Sequence, residues 1–145
     1  MQGEPGSGQS ANLNVKVSAS FPSAEIFGVK LVNGRKTEAS LSITNEEPTA
    51  VQLRFVGGSL WSPDVPGQPT FNIRNLTTTT FAGSIPPGQS ESFSYKFTTD
   101  MHPTDVRLNL VAILFDDKQN LYTVTAFNET VSVVEAPTSF FDPQM

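Results

Sequence analysis

Apolar and polar residues alternate one by one through most of this chain, and this period of two constrains its fold more than any other feature. In the longest run, every second residue is apolar from Val106 to Leu114. Side chains of a β-strand point alternately to opposite faces, so the run predicts a strand with one buried face. No segment spaces its apolar residues three and four apart, as an amphipathic helix does. We therefore predict an all-β protein.

Turn signals divide the alternation into about seven segments. Asn33-Gly34, Glu46-Glu47-Pro48 and Pro86-Pro87-Gly88 each combine residues that favour tight turns. The predicted strands lie within residues 13–19, 39–44, 51–55, 71–80, 93–97, 106–115 and 121–135. About seven antiparallel strands in 145 residues predict one immunoglobulin-like β-sandwich, and the absence of cysteine means that it has no disulfide.

Three places interrupt this pattern. Residues 21–30 alternate poorly and predict a connection or a short edge segment. Gly57-Gly58 lies inside a strand and predicts a β-bulge, because glycine in a strand often marks one. Glu129 falls on the same face as Phe127 and Val131, and a bulge in the last strand would explain this charged residue.

The two ends of the chain lack the alternation. Residues 1–12 are rich in glycine, serine and proline and predict a flexible tail. We place the folded domain at residues 13–137 and a second tail at residues 138–145. No apolar run approaches the roughly 20 residues of a membrane-spanning helix.

Charge and composition exclude several classes of function. The formal net charge is −5, the isoelectric point is about 4.7, and Arg35-Lys36 is the only basic pair. Binding to phosphates requires clustered Lys and Arg, so we expect no nucleic-acid partner. Without cysteine, the chain has neither a catalytic thiolate nor a cysteine-bound zinc site.

Catalytic and metal-binding groups are equally sparse. His102 is the only histidine, and no acid or nucleophile accompanies it at a recognisable spacing, so we predict that the protein is not an enzyme. Asp116, Asp117 and Asn120 carry oxygen ligands suited to calcium but lack the spacing of a calcium loop. We interpret them as a hairpin turn and expect no metal or other cofactor.

Two N-glycosylation sequons are the sharpest local signals. They are Asn75-Leu76-Thr77 and Asn128-Glu129-Thr130. Chance alone gives roughly one or two sequons in such a chain, so their exposure matters more than their number. Strict alternation after Phe71 would bury Asn75, whereas a register shift at Arg74 would expose Asn75 and bury the next leucine. Asn128 is predicted to point away from the buried face of its strand.

The strand from Val106 becomes apolar on both faces near its end. Val111, Ile113 and Phe115 lie on the face opposite the main alternation. Two explanations stay open: the second sheet or a terminal segment covers them, or they form a surface for a partner.

Several motifs resemble one known family. An Asn-Gly turn precedes Ala-Ser-Leu-Ser-Ile-Thr-Asn at 39–45, and Phe-Asn-Ile-Arg-Asn-Leu-Thr follows at 71–77. A proline turn leads into an aromatic strand at 85–97. The closing segment is the most specific, with Ala-Phe-Asn-Glu-Thr-Val-Ser-Val-Val-Glu at 126–135. Over residues 13–137 the chain resembles the luminal domain of the translocon-associated protein alpha subunit (signal sequence receptor alpha) family, and in particular its fungal members.

The resemblance implies a location and a set of partners. Members are type I single-pass membrane glycoproteins of the endoplasmic reticulum, with a signal peptide and with this domain in the lumen. They associate with other translocon-associated subunits and the protein-conducting channel and assist translocation of nascent chains, which are a further expected partner. A membrane anchor would follow the tail at 138–145, outside this chain. The alternative is an extracellular adhesion or carbohydrate-binding sandwich that uses Trp61 and Phe71 as an aromatic platform.

Overall fold

The computed structural model describes residues 13–22 and 29–136. Within these residues the chain forms nine β-strands and no helix. The described part of the chain therefore contains no helix that could cross a membrane. The strands are β1 (Val15–Ser20), β2 (Lys30–Val32), β3 (Lys36–Asn45), β4 (Val51–Trp61), β5 (Asn72–Asn75), β6 (Thr79–Ile85), β7 (Ser90–Thr98), β8 (Asp105–Phe115) and β9 (Leu121–Val134).

Two sheets form the sandwich. The smaller has the order β1-β3-β7, and the larger has the order β2-β9-β8-β4-β5, with β6 also paired to β4. The β2–β9 pair is parallel, whereas the other strand pairs are antiparallel. The predicted all-β, immunoglobulin-like sandwich is therefore confirmed.

The strand count differs from the prediction for two local reasons. The predicted strand at 71–80 is two strands, since β5 and β6 lie end to end along β4 and are interrupted at 76–78. The poorly alternating residues 21–30 end in β2, which is only three residues long. Three residues are too few to show an alternation of apolar and polar side chains.

Side chains on the inner faces of both sheets make one core. The alternation in β8 is confirmed, because Val106, Leu108, Leu110, Ala112 and Leu114 are all 0% exposed. Tyr95 from β7 and Leu41 and Ile43 from β3 meet them from the other sheet at the same depth. Removing this apolar surface from water is the main source of the fold's stability.

The prediction of a bulge at Gly57-Gly58 was wrong. Both glycines are in regular register with β8, and the shifts in β4 lie between Leu53 and Phe55 and between Leu60 and Trp61. The glycines are needed for space instead. A Cβ on Gly58 would lie 2.7 Å from the backbone oxygen of Asn109.

The last strand does contain a bulge, but not at Glu129. The register between β8 and β9 shifts where Leu110 pairs with Phe127 and Val111 pairs with Thr125, so the intervening residue 126 is the extra one. Glu129 pairs regularly and is exposed. A charged residue on the inner side of the sheet is tolerated there because water reaches it.

The predicted tails at 1–12 and 138–145 lie outside the described residues, as do residues 23–28 and Pro137. The domain limits at 13 and 137 stay a prediction.

Candidate functional site

One row of side chains crosses the outer face of the larger sheet. Asn75 pairs with Ser59, Ser59 with Asn109, and Asn109 with Asn128, so the row spans β5, β4, β8 and β9. We call these four residues the sequon row, because both sequon asparagines stand at its ends. Three steps of about 4.8 Å between strands place the two asparagines about 14 Å apart. Both are exposed.

An irregularity in β5 determines the orientation of Asn75. Leu60 pairs with Arg74 while Trp61 pairs with Asn72, so Ile73 is an extra residue. The shift lies beside Arg74, and of the two alternatives left open by the sequence it produces the one with Asn75 exposed. Asn75 is exposed, and the leucine that follows packs against the core.

Two hydrogen bonds connect the first sequon to the two sheets. The backbone N–H of Leu76 donates to the oxygen of Gly58 at 2.9 Å. The hydroxyl of Tyr95, which comes from the smaller sheet, donates to the backbone oxygen of Thr77. Burial raises the pKa of Tyr95 from 10.0 to about 12, because a phenolate would lose its hydration inside the sandwich.

We expect Tyr95→Phe to lower the free energy of unfolding at pH 8 by about 1 to 2 kcal/mol, since Thr77 would lose its donor. The raised pKa means that this tyrosine stabilises the fold below pH 10, and that the stabilisation is lost as pH rises from 10 towards 12. The slope is about 1.4 kcal/mol per pH unit for one group. Urea unfolding at pH 8 and pH 11 checks both parts, and an unchanged slope in the phenylalanine variant would contradict the assignment.

The second sequon lies in the middle of β9. The side-chain oxygen of Asn128 accepts a hydrogen bond from Nε of Arg107 at 2.9 Å, and Nη1 of Arg107 lies 3.3 Å from Oδ2 of Asp64. A shallow groove beside this end of the sequon row is lined by Trp61, Asp64, Thr70, Arg107, Asn109 and Asn128. The arginine thus fixes the orientation of the asparagine's amide group.

The other half of the same outer face is apolar. Val111, Ile113 and Phe115 lie there half-buried, beside Phe55 and the 57% exposed Leu121. We call these five residues the apolar patch. Its three β8 residues face away from the smaller sheet, so the explanation that the second sheet covers them was wrong. A terminal segment that could cover them lies outside the described residues, and the other explanation, a partner surface, stays a prediction.

The residues considered for catalysis and calcium binding lie in a loop and in a hairpin turn. His102 is exposed in the loop before β8. Asp116 closes the β8–β9 hairpin by accepting hydrogen bonds from Asn120, Lys118 and Tyr122. These bonds lower the pKa of Asp116, and the one from the backbone N–H of Asn120 has the largest effect. In the described part of the chain, no three His, Asp or Glu side chains gather as a metal site.

The aromatic platform of the rival hypothesis is divided. Phe71 is 62% exposed, whereas Trp61 is half-buried and donates its indole N–H to Ser59 at 2.7 Å. Phe71 is therefore the more exposed of the two rings.

Comparison with known proteins decides the family. The model of the translocon-associated protein (TRAP) alpha subunit matches residues 12–145. The chain belongs to this family. Increased recombination centers protein 22 of Meyerozyma guilliermondii is 31% identical over an alignment of 144 positions, which covers 94% of this chain. The chain spans 58% of that relative's length.

Solved structures support the TRAP alpha domain's fold alone. PapD-like domain 7 of human CEP192 has a TM-score of 0.52 at 15% identity, covering 85% of this chain and 87% of that one. The sporulation control protein Spo0M of Bacillus subtilis has a TM-score of 0.53 at 17% identity, covering 85% of this chain and 50% of that one.

One residue of the segment 39–45 has a structural role that sequence reasoning missed. Asn45 is 0% exposed, and its Nδ2 donates to the oxygens of Thr49 and Ile85, each at 2.9 Å. Its Oδ1 accepts from the backbone N–H of Glu47. An asparagine at the end of a strand before a Glu-Glu-Pro turn is the signal of such an Asx turn.

Proposed function

We propose that this TRAP alpha domain is a non-enzymatic interaction domain in the lumen of the endoplasmic reticulum. It belongs to a type I single-pass membrane glycoprotein with a signal peptide, and it assists translocation of nascent chains at the protein-conducting channel. Family membership supports the association with the translocon. The location and the translocation step are our proposal.

The observation that carries the proposal is the exposure of both sequon asparagines on one face. N-linked glycans are bulky and polar, so an acceptor asparagine has to lie at the surface of the folded domain. A buried Asn75 would have excluded a glycan at that site. The bulge at Ile73 makes the site compatible with one.

The apolar patch is the proposed partner surface. Glycans on the sequon row would fill the space above one half of the sheet and leave the patch half accessible. Arg54 lies beside the patch, and its guanidinium carbon is 4.8 Å from the ring centre of Phe115. We propose that another TRAP subunit or the channel contacts it there, since partly exposed apolar side chains in contact with one another mark protein interfaces.

The full-length protein from its own cells tests the location. We expect an endoglycosidase to increase its gel mobility by an amount that corresponds to two glycans. Thr77→Ala and Thr130→Ala should each remove one of these glycans. We also expect the channel to co-purify with it in mild detergent. A protein with neither glycan, or one recovered without any translocon component, would contradict the proposal.

A further inference from the structure

We infer that both sequons receive their glycans before the domain folds, and that the folded domain protects Asn128 from glycan transfer much more strongly than Asn75. The inference rests on the proposed luminal location, because it concerns the same two asparagines. Exposure admits a glycan once it is attached, but attachment makes further demands on the backbone.

Glycan transfer is a substitution at the first sugar carbon of a polyprenyl-diphosphate-linked oligosaccharide. The asparagine Nδ2 forms a bond to C1 and loses one proton, the C1–O bond breaks, and the lipid diphosphate leaves. An amide nitrogen is a poor nucleophile, because its lone pair is delocalised into the carbonyl group. The transferase therefore has to surround the amide and the nearby threonine hydroxyl and orient both. A sequon fixed in a sheet is unable to enter such a site.

Asn128 is fixed along both its strand and its side chain. β9 is fourteen residues long, and Asn128, Glu129 and Thr130 pair one by one with β8 residues about 4.8 Å away. Arg107 also holds the oxygen of the acceptor amide. The flanking Val131 is buried in the core. β2 pairs only with residues 132–134 of β9, so β8 is the described neighbour of this sequon. Releasing the sequon nevertheless parts the middle of a long strand between the buried Val124 and Val131, which costs much more than opening a short strand.

Asn75 is held by fewer contacts. It ends a four-residue strand that pairs with β4 at one edge of the described sheet. Its release breaks three register pairs, the hydrogen bond from Leu76 to Gly58 and the one from Tyr95 to Thr77. A strand of four residues opens locally at a smaller cost than the middle of a strand of fourteen residues.

The test measures glycan transfer to the folded 145-residue chain made without glycans in bacteria. Solubilised oligosaccharyltransferase and its lipid-linked donor are supplied, and occupancy at each asparagine is followed by mass spectrometry. Synthetic peptides 70–80 and 123–133 give the rate for each sequon without a fold. We expect transfer to folded Asn75 to be at least about tenfold slower than transfer to its peptide. Transfer to folded Asn128 should be at least about tenfold slower than transfer to folded Asn75. Each factor of ten corresponds to about 1.4 kcal/mol of opening free energy.

Tyr95→Phe is the informative variant, with Tyr122→Phe as its matched control. Tyr122 is the other tyrosine, and its hydroxyl contacts Asp116 at the opposite end of the sheet. We expect the Tyr95 variant to accelerate transfer at Asn75 several-fold, because release of Asn75 breaks the hydrogen bond to Thr77. Local opening of β9 leaves that bond intact, so we expect Asn128 to be unchanged, and the control to change neither. Circular dichroism confirms that both are folded.

The possible failures are distinguishable. Transfer to folded Asn128 at the rate of its peptide, or faster than to Asn75, would overturn the inference while leaving the luminal location intact. Peptides that accept no glycan would overturn the proposed glycosylation, and the inference with it.

Discussion

Replacing Asn45 by alanine is expected to lower the free energy of unfolding by about 3 kcal/mol, the largest effect of any single polar substitution that we consider. The substitution leaves the oxygens of Thr49 and Ile85 and the N–H of Glu47 without a side-chain partner. The hydrogen bond to Ile85 is buried, so water does not replace the lost donor there. A buried polar group left unpaired costs about 1 to 3 kcal/mol.

Urea unfolding followed by tryptophan fluorescence measures this cost. Ser42→Ala is the matched control, because Ser42 lies in the same strand with an exposed side chain. We expect the control to change the free energy by less than about 0.5 kcal/mol. Equal stabilities of the two variants would show that the Asn45 contacts do not support the turn.

Gly58→Ala is expected to cost about 2 to 3 kcal/mol through overpacking. The added Cβ would lie 2.7 Å from the backbone oxygen of Asn109 and 2.7 Å from Cδ2 of Leu110. The backbone of β8 lies in the centre of the sheet and is unable to move aside without loss of its pairing. The strain would also reach Leu76, whose Cδ1 would be 3.2 Å away.

Gly57→Ala separates overpacking from a general effect of glycine removal. Its nearest contact would be Oγ1 of Thr78 at 3.0 Å, the end of a side chain at the sheet edge that is able to rotate. We expect this neighbour variant to change the free energy by less than about 1 kcal/mol, because alanine also restricts the unfolded chain. A larger loss at Gly57 than at Gly58, in the same urea titrations, would contradict the packing described here.

Local patterns predicted the strands well, because each strand buries one face and its own alternation records that burial. The run from Val106 to Leu114 is the clearest case. The same reasoning placed the glycine bulge wrongly, since Gly57-Gly58 has no local feature that distinguishes a bulge from a close approach of neighbouring strands. Only the position of Leu76 and β8 against Gly58 decides between them.

The sequon row was beyond sequence reasoning for a physical reason. Its alignment depends on the registers of three strand pairs, and one-residue shifts at Ile73 and near Leu110 change which residues meet. The sequence identified Asn75 and Asn128 separately, predicted that Asn128 points away from the buried face, and left Asn75 open between burial and exposure. It held no signal that they share one face or that Ser59 and Asn109 lie between them.

Crosslinking from single cysteines tests whether the apolar patch is the partner surface. The 145-residue chain contains no cysteine, so a single introduced cysteine in this domain reports on one position. Ile113→Cys places a thiol in the patch, and Ser42→Cys places one on the outer face of the smaller sheet. Full-length variants in microsomes, treated with a short thiol-to-amine crosslinker and compared with the unsubstituted protein, give the neighbours of each face by mass spectrometry. We expect Ile113→Cys to crosslink to the channel or to another TRAP subunit and Ser42→Cys to do so much less; equal products from both positions, or products from Ser42→Cys alone, would contradict the patch as the partner surface.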